Sequence, residues 1–401
     1  MTTPTRLAYL VTHPIQYQVP MLRRIAAQSG IKLTVFFQSD LSVSGYHDTG
    51  FGRPITWDVP LLGGYDHEFL PALGRRDVVD LHRPISYGLA GRLLRGDFDV
   101  LWVHGYARWF NWVAMLTAKA VGVKILVRDE SSAVSSHRSA AKVAAKRVFL
   151  KVLDSVADGF LAIGTLNRRY YLDNGIEPGR IDLMPYSVDN DWFEERARAA
   201  APDRETLRSR LGRSPGRPVV LFASKFQARK RPGDLLAAYR KVVSGRTAAA
   251  RPYLLFVGDG ELSGQLQADA ADLHDDVRFL GFQNQSALPA LFDLCDVFVL
   301  PSEREPWGLI VNEVMTVGRA VIVTDDVGCA ADLVQDGVNG RVVPVGNIGA
   351  LAEALADVLS NPERTNAMGR AGAERIAGWS YAEDITGLLA ALRRVTGRAQ
   401  V

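Results

Sequence analysis

Cysteine is almost absent from this chain: there are two in 401 residues, Cys295 and Cys329. Two distant cysteines give neither a metal-ligand spacing nor a disulfide framework, and a reducing cytosol is the simplest compartment for them. An excess of one charge is missing too. Lys and Arg number 47 against 44 Asp and Glu, a net +3, which is too little to argue for a nucleic-acid partner. Long uninterrupted apolar runs are lacking. Leu7–Val11 gives way to His13 and Pro14 and is too short for the core of a signal peptide. The longest apolar region, Trp109–Val127, carries Asn111, Lys119 and Lys124 and makes a poor membrane span. Internal repeats and long low-complexity tracts are also absent. These absences leave a soluble or membrane-peripheral protein. Its length suggests two or more domains, each with its own core, and its 47% apolar and 23% charged residues are ordinary for one.

What the sequence does have is alternation. Short β-branched apolar runs alternate with amphipathic helical patterns, the mark of α/β architecture with parallel sheets. Strands are expected at Leu7–Val11, Lys32–Gln38, Val100–Val103, Lys124–Arg128 and Phe160–Ile163. A second set is expected at Val219–Ala223, Tyr253–Val257, Val277–Leu280, Val297–Leu300, Ala320–Thr324 and Gly340–Val343. Helices are expected at Tyr17–Ala27, Trp109–Ala120 and Ala140–Ala157 in the first half. In the second half they are expected at Arg231–Val243, Leu262–Ala270, Leu288–Asp293, Gly308–Val317, Ile348–Leu359 and Pro362–Ile376, with a last one at Ala382–Val395. Between the halves, Met184–Asp189 and the Ala/Arg-rich stretch to about Arg217 read as a linker. The domains are therefore expected at 1–190 and 191–378, with 379–401 as a terminal helix.

The most informative segment is Pro301-Ser302-Glu303-Arg304-Glu305-Pro306-Trp307-Gly308-Leu309-Ile310-Val311-Asn312-Glu313. It reads as a strand end, a tight loop and a helix opening near Gly308. The exposed amides of a helix N-terminus bind phosphate. Glu305 lies before that end and Glu313 inside the helix, so one carboxylate can accept hydroxyl hydrogen bonds on each side of a bound diphosphate. The plainer alternative is two solvated glutamates at a helix terminus. The segment resembles the E-x7-E signature of retaining GT-B glycosyltransferases of family 4. That resemblance implies two Rossmann-like domains facing a cleft, with the C-terminal helix crossing back to the first. It implies that Glu305 holds hydroxyls of the transferred sugar, that Gly308, Leu309 and Ile310, next to Trp307, offer amides to the diphosphate, and that Glu313 holds the ribose.

After Val219–Ala223 come Lys225 and Lys230, at the positions where the family carries an arginine and a lysine that grip the diphosphate. Lysine keeps the charge of arginine but not its planar fork. Val257-Gly258-Asp259-Gly260 is not a dinucleotide fingerprint, because its third glycine, Gly264, falls one position late. It resembles the family's glycine turn against the nucleotide, and Phe282, on the next strand end, reads as core or as a wall of the base pocket. Val327-Gly328 stands where the family commonly has paired glycines. In the first half, the strand ends carry His13, Gln16 and Tyr17, then His104, then Glu130. The carboxyl edge of a parallel sheet is an ordinary ligand site. Residues His13, Gln16, Tyr17 and Glu130 are expected on the acceptor side. The resemblance places His104 by the reacting centre with Glu305 and Lys230, although a lone histidine is more often structural. Asp97-x-Asp99 precedes its strand and so lies at the wrong sheet edge for a metal-dependent site; no metal and no cofactor is expected.

The expected reaction is transfer of a sugar from a nucleoside-diphosphate donor to a carbohydrate or lipid-linked acceptor, with retention and in the cytoplasm. The alternatives are a catalytically inactive sugar-nucleotide-binding protein and an epimerase of the same fold. Arg138, Lys142, Lys146, Arg147 and Lys151, with Val143, Val148, Phe149, Val152 and Leu153, make a basic amphipathic helix. Such a helix either packs on the core with a solvated face or lies on anionic lipid.

Overall fold

The computed structural model describes residues 3–43, 45–77, 79–132 and 140–398. The chain forms two compact units. One comprises Met1–Tyr46, Ile55–Val188 and Ser380–Val401; the other comprises His47–Pro54 and Asp189–Trp379.

The first unit holds a seven-stranded sheet. In spatial order its strands are Ile181–Leu183, Gly159–Ala162, Lys124–Arg128, Val100–His104, Thr5–Val11, Ile31–Phe37 and Asp66–Phe69. All six pairings are parallel. The second unit holds a six-stranded sheet in the order Val277–Phe279, Tyr253–Val257, Val219–Ala223, Val297–Leu300, Ala320–Thr324 and Gly340–Val343, again wholly parallel. The central strands are buried throughout; Val219–Ala223 and Val297–Leu300 expose almost nothing. That is why they read as continuous apolar runs rather than alternating ones.

Expected and observed elements agree to within a residue or two where the apolar pattern is long. Several elements had no such pattern. The edge strand Asp66–Phe69, sequence DHEF, is half exposed and carries no β-branched residue. The short helix Leu89–Leu94 and the helix Thr165–Asp173 were not expected either. The stretch read as a linker is largely helical, at Asn190–Ala200 and Arg204–Arg210. Asp189 caps the first of these, its carboxylate accepting the Trp192 amide at 3.4 Å, and Phe193 and Ala197 are buried beneath it. Two apolar side chains among many Arg and Ala residues were enough to anchor a helix whose composition suggested a tether.

The helix Tyr381–Thr396 belongs to the first unit. A capping box starts it, in which Ser380 and Glu383 satisfy one another's backbone amides. Tyr381, Leu388, Ala391 and Leu392 pack into the core beside the sheet. Two features fix its position. Arg128, 2% exposed, pairs with Asp384, 1% exposed, at 3.1 Å and also donates to the carbonyls of Met184 and Pro185. Gly387 rides directly on the Leu183 carbonyl, where a Cβ would stand 1.8 Å from the oxygen.

Two effects oppose each other at Gly387. Alanine is favoured over glycine within a helix by about 1 kcal/mol. The overlap with a backbone oxygen has no cheap relief and outweighs that gain. Gly387→Ala is therefore expected to lower the denaturation midpoint; an unchanged or raised midpoint would show that the helix can back away from the strand.

Candidate functional site

In the second unit the strand Val297–Leu300 ends in a loop whose course is set by backbone pairing. The Glu305 amide donates to the Asp326 carbonyl at 3.1 Å, Gly328 donates to Glu305 at 2.9 Å, and Cys329 donates to Trp307 at 2.9 Å. A Cβ on Gly328 would lie 2.0 Å from the Pro306 carbonyl oxygen, so glycine is required for the two loops to run side by side. Gly308 then caps the helix Leu309–Thr316 with φ of 93°, the left-handed region that favours glycine. The amides of Leu309 and Ile310, in the first turn, have no intrahelical acceptor.

Glu305 is 9% exposed, and one of its carboxylate oxygens accepts a short hydrogen bond from the Lys230 amino group. Arg229 stands 3.4 Å from the same oxygen. Burial pulls the Lys230 amino group below the ordinary lysine value, and the Glu305 charge opposes that pull. A pair this desolvated survives only if each charge keeps its partner. Glu313 differs. Part of the residue reaches solvent, yet its carboxyl is desolvated and among the described residues makes no hydrogen bond or ion pair; burial alone pushes it up to about 8.

Lys225 also lies at a strand end, 32% exposed. Its amino group donates to both oxygens of Asp48, at 2.8 and 2.9 Å. Phe282 is half-buried, and its ring meets that of Phe51 edge-on at 4.9 Å. Gly258 has φ of 130°, and a Cβ there would stand 1.9 Å from the Ser224 carbonyl oxygen, so its glycine serves a close approach of protein backbone. Trp307, expected with the donor contacts, is 3% exposed; its indole donates to Asn312 at 3.0 Å and stacks on Trp379 at 5.7 Å. The side chain is a core residue, and the loop turns it inward because it is the largest apolar group there.

In the first unit the expected residues gather at the carboxyl edge. His104 ends its strand beside the strand that leads to His13. Burial, then the Arg128 charge, holds the His104 imidazole down at about 3, and its Nδ1 is buried without a hydrogen-bond partner among the described residues. Burial and Arg108 hold His13 at about 4, with Nδ1 2.9 Å from the Thr12 hydroxyl. Both are neutral imidazoles at physiological pH. Tyr186 donates a short hydrogen bond to Glu130, and the Tyr17 and Tyr186 rings meet edge-on at 6.0 Å. Burial raises the Tyr17 phenol well above its usual range. Gln16 is half-buried in the same turn.

Sequence reasoning did not join the strand end Arg128–Ser132 to Tyr106 and Lys146, which form a second cluster there. Ser131 takes its place through its amide, 2.7 Å from the Asp129 carboxylate; its hydroxyl lies 2.7 Å from Tyr106, to which Lys146 donates at 2.9 Å. Lys146 also lies 4.5 Å above the Tyr106 ring, so it faces inward rather than joining the solvated basic face. Arg138 and the Lys142 side chain lie outside the described residues. Asp99 of the Asp97-x-Asp99 pattern is bound by Arg6 at 2.9 Å and Arg398 at 3.2 Å, at the amino end of its strand.

Residues 203–375 match the family model described as "Glycosyl transferases group 1". The D-inositol 3-phosphate glycosyltransferase of Segniliparus rotundus is 31% identical over 244 residues, covering 59% of this chain and 51% of that protein. The enzyme of the same name from Nocardia farcinica is 27% identical over 313 residues, covering 74% and 67%. The chain thus spans about half to two thirds of the length of the curated relatives it matches. Among solved structures, a glycosyltransferase from Rickettsia africae superposes with a TM-score of 0.73 at 15% identity, over 99% of this chain and 100% of that one. Anabaena Alr3699/HepE, in complex with UDP and glucose, superposes at 0.70 with 16% identity, over 97% and 99%. The fold of this chain, two parallel-sheet Rossmann-like units, is that of GT-B glycosyltransferases.

Glu313 generates a pH prediction. Its folded-state value of about 8 lies above the ordinary glutamate value of 4.5, so the folded chain binds the proton more tightly than the unfolded one. Its contribution is fully favourable below about 4.5 and is lost as pH rises towards 8. Glu313→Gln removes that loss. The ligand-free variant is expected to match wild type near pH 4.5 and to unfold at higher denaturant concentration at pH 8. Equal stability at both pH values would show that the carboxyl is solvated.

Proposed function

We propose that this chain is a glycosyltransferase that moves a sugar from a nucleoside-diphosphate donor to an acceptor hydroxyl, with retention of configuration and without a required metal. The observation that carries this reading is the loop-helix unit that bears Glu305, the helix N-terminus and Glu313, with Lys230 from the neighbouring strand end on Glu305, all within the segment that matches the family model. Glu313 supports it independently: a desolvated carboxyl with no partner among the described residues suits a ligand that brings hydroxyls, as ribose does.

In this reading Lys225, Lys230 and the amides at Gly308, Leu309 and Ile310 take the charge that grows on the diphosphate as the sugar C–O bond breaks. Preorganised charge of this kind is commonly the largest single contribution to rate. Glu305, held by Lys230, orients the sugar hydroxyls. The acceptor oxygen bonds to the anomeric carbon on the face the phosphate leaves, and a phosphate oxygen takes the acceptor proton. His104 is kept neutral and so can exchange hydrogen bonds with a hydroxyl without placing a second cation near the reacting carbon. His13, Gln16, Tyr17 and Glu130 are assigned to the acceptor. Two lysines supply the positive charge that a metal supplies elsewhere.

We assign the acceptor to the lipid-linked class on a second observation. The helices Trp109–Ala120 and Ala140–Val156 leave Trp109, Val113, Leu116, Val148 and Val152 exposed, with the exposed cations Lys119, Arg147 and Lys151 among them. Apolar and cationic side chains together suit an anionic bilayer surface. Co-sedimentation with phosphatidylserine vesicles is expected for wild type, to weaken with salt and to be lost in a Trp109→Glu, Val148→Glu variant. Equal binding to neutral vesicles, or none to either, would remove the lipid assignment and leave a soluble carbohydrate acceptor.

The donor reading is tested by thermal shift against UDP-, GDP-, ADP- and dTDP-sugars. One nucleotide is expected to stabilise wild type and not Glu313→Gln; at about one hundred times Kd the gain is roughly 2.7 kcal/mol. Glu305→Gln is expected to bind that nucleotide and to lose transfer. Stabilisation by none of the four would overturn the reading, and transfer at the wild-type rate in Glu305→Gln would remove Glu305 from the reaction.

A further inference from the structure

The segment His47–Pro54 packs with the second unit although the chain on either side of it belongs to the first. It reverses on itself between the short strands Tyr46–Asp48 and Arg53–Ile55. Asp48, 9% exposed, organises the reversal: one carboxylate oxygen accepts the amides of Gly50 at 2.8 Å and Phe51 at 3.0 Å. The same carboxylate takes the Lys225 amino group on both oxygens. Gly50 lies flat on the lysine; a Cβ there would meet Lys225 Cδ at 2.7 Å and Nζ at 2.9 Å. The Lys225 ammonium also sits 4.8 Å above the Phe51 ring. Phe51 meets Phe282 edge-on, with Arg53 5.7 Å over the other aromatic. The Gly50 carbonyl comes close enough to the Gly258–Gly260 turn that a Cβ on Gly260 would lie 3.0 Å from its oxygen. The segment therefore touches, through its own residues, the strand-end lysine, the strand-end aromatic and the glycine turn of the second unit.

We propose that His47–Pro54 is a strap over the donor site, in which the Asp48 carboxylate occupies Lys225 where a nucleoside diphosphate would, so that donor phosphate and strap compete for one ammonium group. The proposal rests on the reading of Lys225 as a phosphate contact. The physical case is charge accounting. Lys225 offers three N–H donors, and two are taken by Asp48. A phosphate arriving at the third meets an anion at hydrogen-bond distance from its own counter-ion, and like charges at that range repel. Asp48 is ionised here: burial pushes its carboxyl up, but the Lys225 hydrogen bond and charge, with the two amides, pull it below the ordinary value. Asp48 is thus a positioning residue for Lys225 and sets the net charge at the diphosphate.

The test is Asp48→Asn, which keeps an oxygen for the Gly50 and Phe51 amides and removes only the charge. Kd is measured by calorimetry for UDP, GDP, ADP and dTDP, and for the matching uncharged nucleoside. The nucleoside diphosphate that binds wild type is expected to bind Asp48→Asn several-fold tighter, with nucleoside affinity unchanged. The gain is expected to vanish when Lys225→Gln is added, which a merely structural role of the strap would not produce. Unchanged or weaker diphosphate binding in Asp48→Asn would overturn the strap, while leaving the donor site standing if wild type binds. No diphosphate binding by either protein would overturn both. Equal tightening of nucleoside and diphosphate would show that the strap excludes the base and that Lys225 is not contested, which also overturns the proposal.

Discussion

In a parallel sheet every strand ends at the same edge, so whatever chemistry the loops carry is delivered to one side. Both units of this chain obey that constraint, and it explains why residues far apart in sequence converge. In the first unit the strands Thr5–Val11, Val100–His104 and Lys124–Arg128 end next to His13, within His104, and before Glu130. In the second, four strand ends deliver Lys225, Gly258, Phe282 and the loop that holds Glu305. The same constraint places Asp97-x-Asp99 at the other edge, before its strand, where Asp99 is held by Arg6 and Arg398 and Asp97 by Arg92.

The Glu305 loop shows how a polar group is held at such an edge. Its carboxylate is nearly buried and would be unstable there alone. Lys230 offsets the charge, and the neighbouring loop at Asp326–Cys329 fixes the backbone by three hydrogen bonds. Gly328 permits that contact and Trp307 anchors it from below, stacked on Trp379. In the first unit the Arg128–Asp384 pair plays a comparable part, joining a strand end to the last helix.

Much of this was legible in the sequence because buried parallel strands read as unbroken apolar runs, and because Glu305, Gly308 and Glu313 keep a fixed spacing around a helix start. The two-unit α/β fold and the strand edges follow from those signals. What escaped had physical reasons. Asp66–Phe69 is an edge strand with polar side chains, and Asn190–Ala200 is a helix anchored by two buried residues among charges. Trp307 reads as a ligand contact because it lies within the motif, and the structure shows its side chain buried against Trp379. At Gly258 the sequence does not show that the backbone also has to pass close to the Ser224 carbonyl. Asp48 could not have been linked to Lys225 at all, since 177 positions separate them and neither carries a local pattern.

The strap also bears on how such chains can be recombined. The family model covers a continuous stretch, and a genetic exchange confined to 189–379 would look like a clean transfer of the second unit. It would leave His47–Pro54 behind, because that segment is encoded in the other half. A hybrid would then pair its incoming lysine with whatever residue the recipient carries at the tip of that turn. Ancestry inferred from the second unit alone is blind to this partner, and a shuffled chain inherits the charge around its strand-end lysine from two parents rather than one.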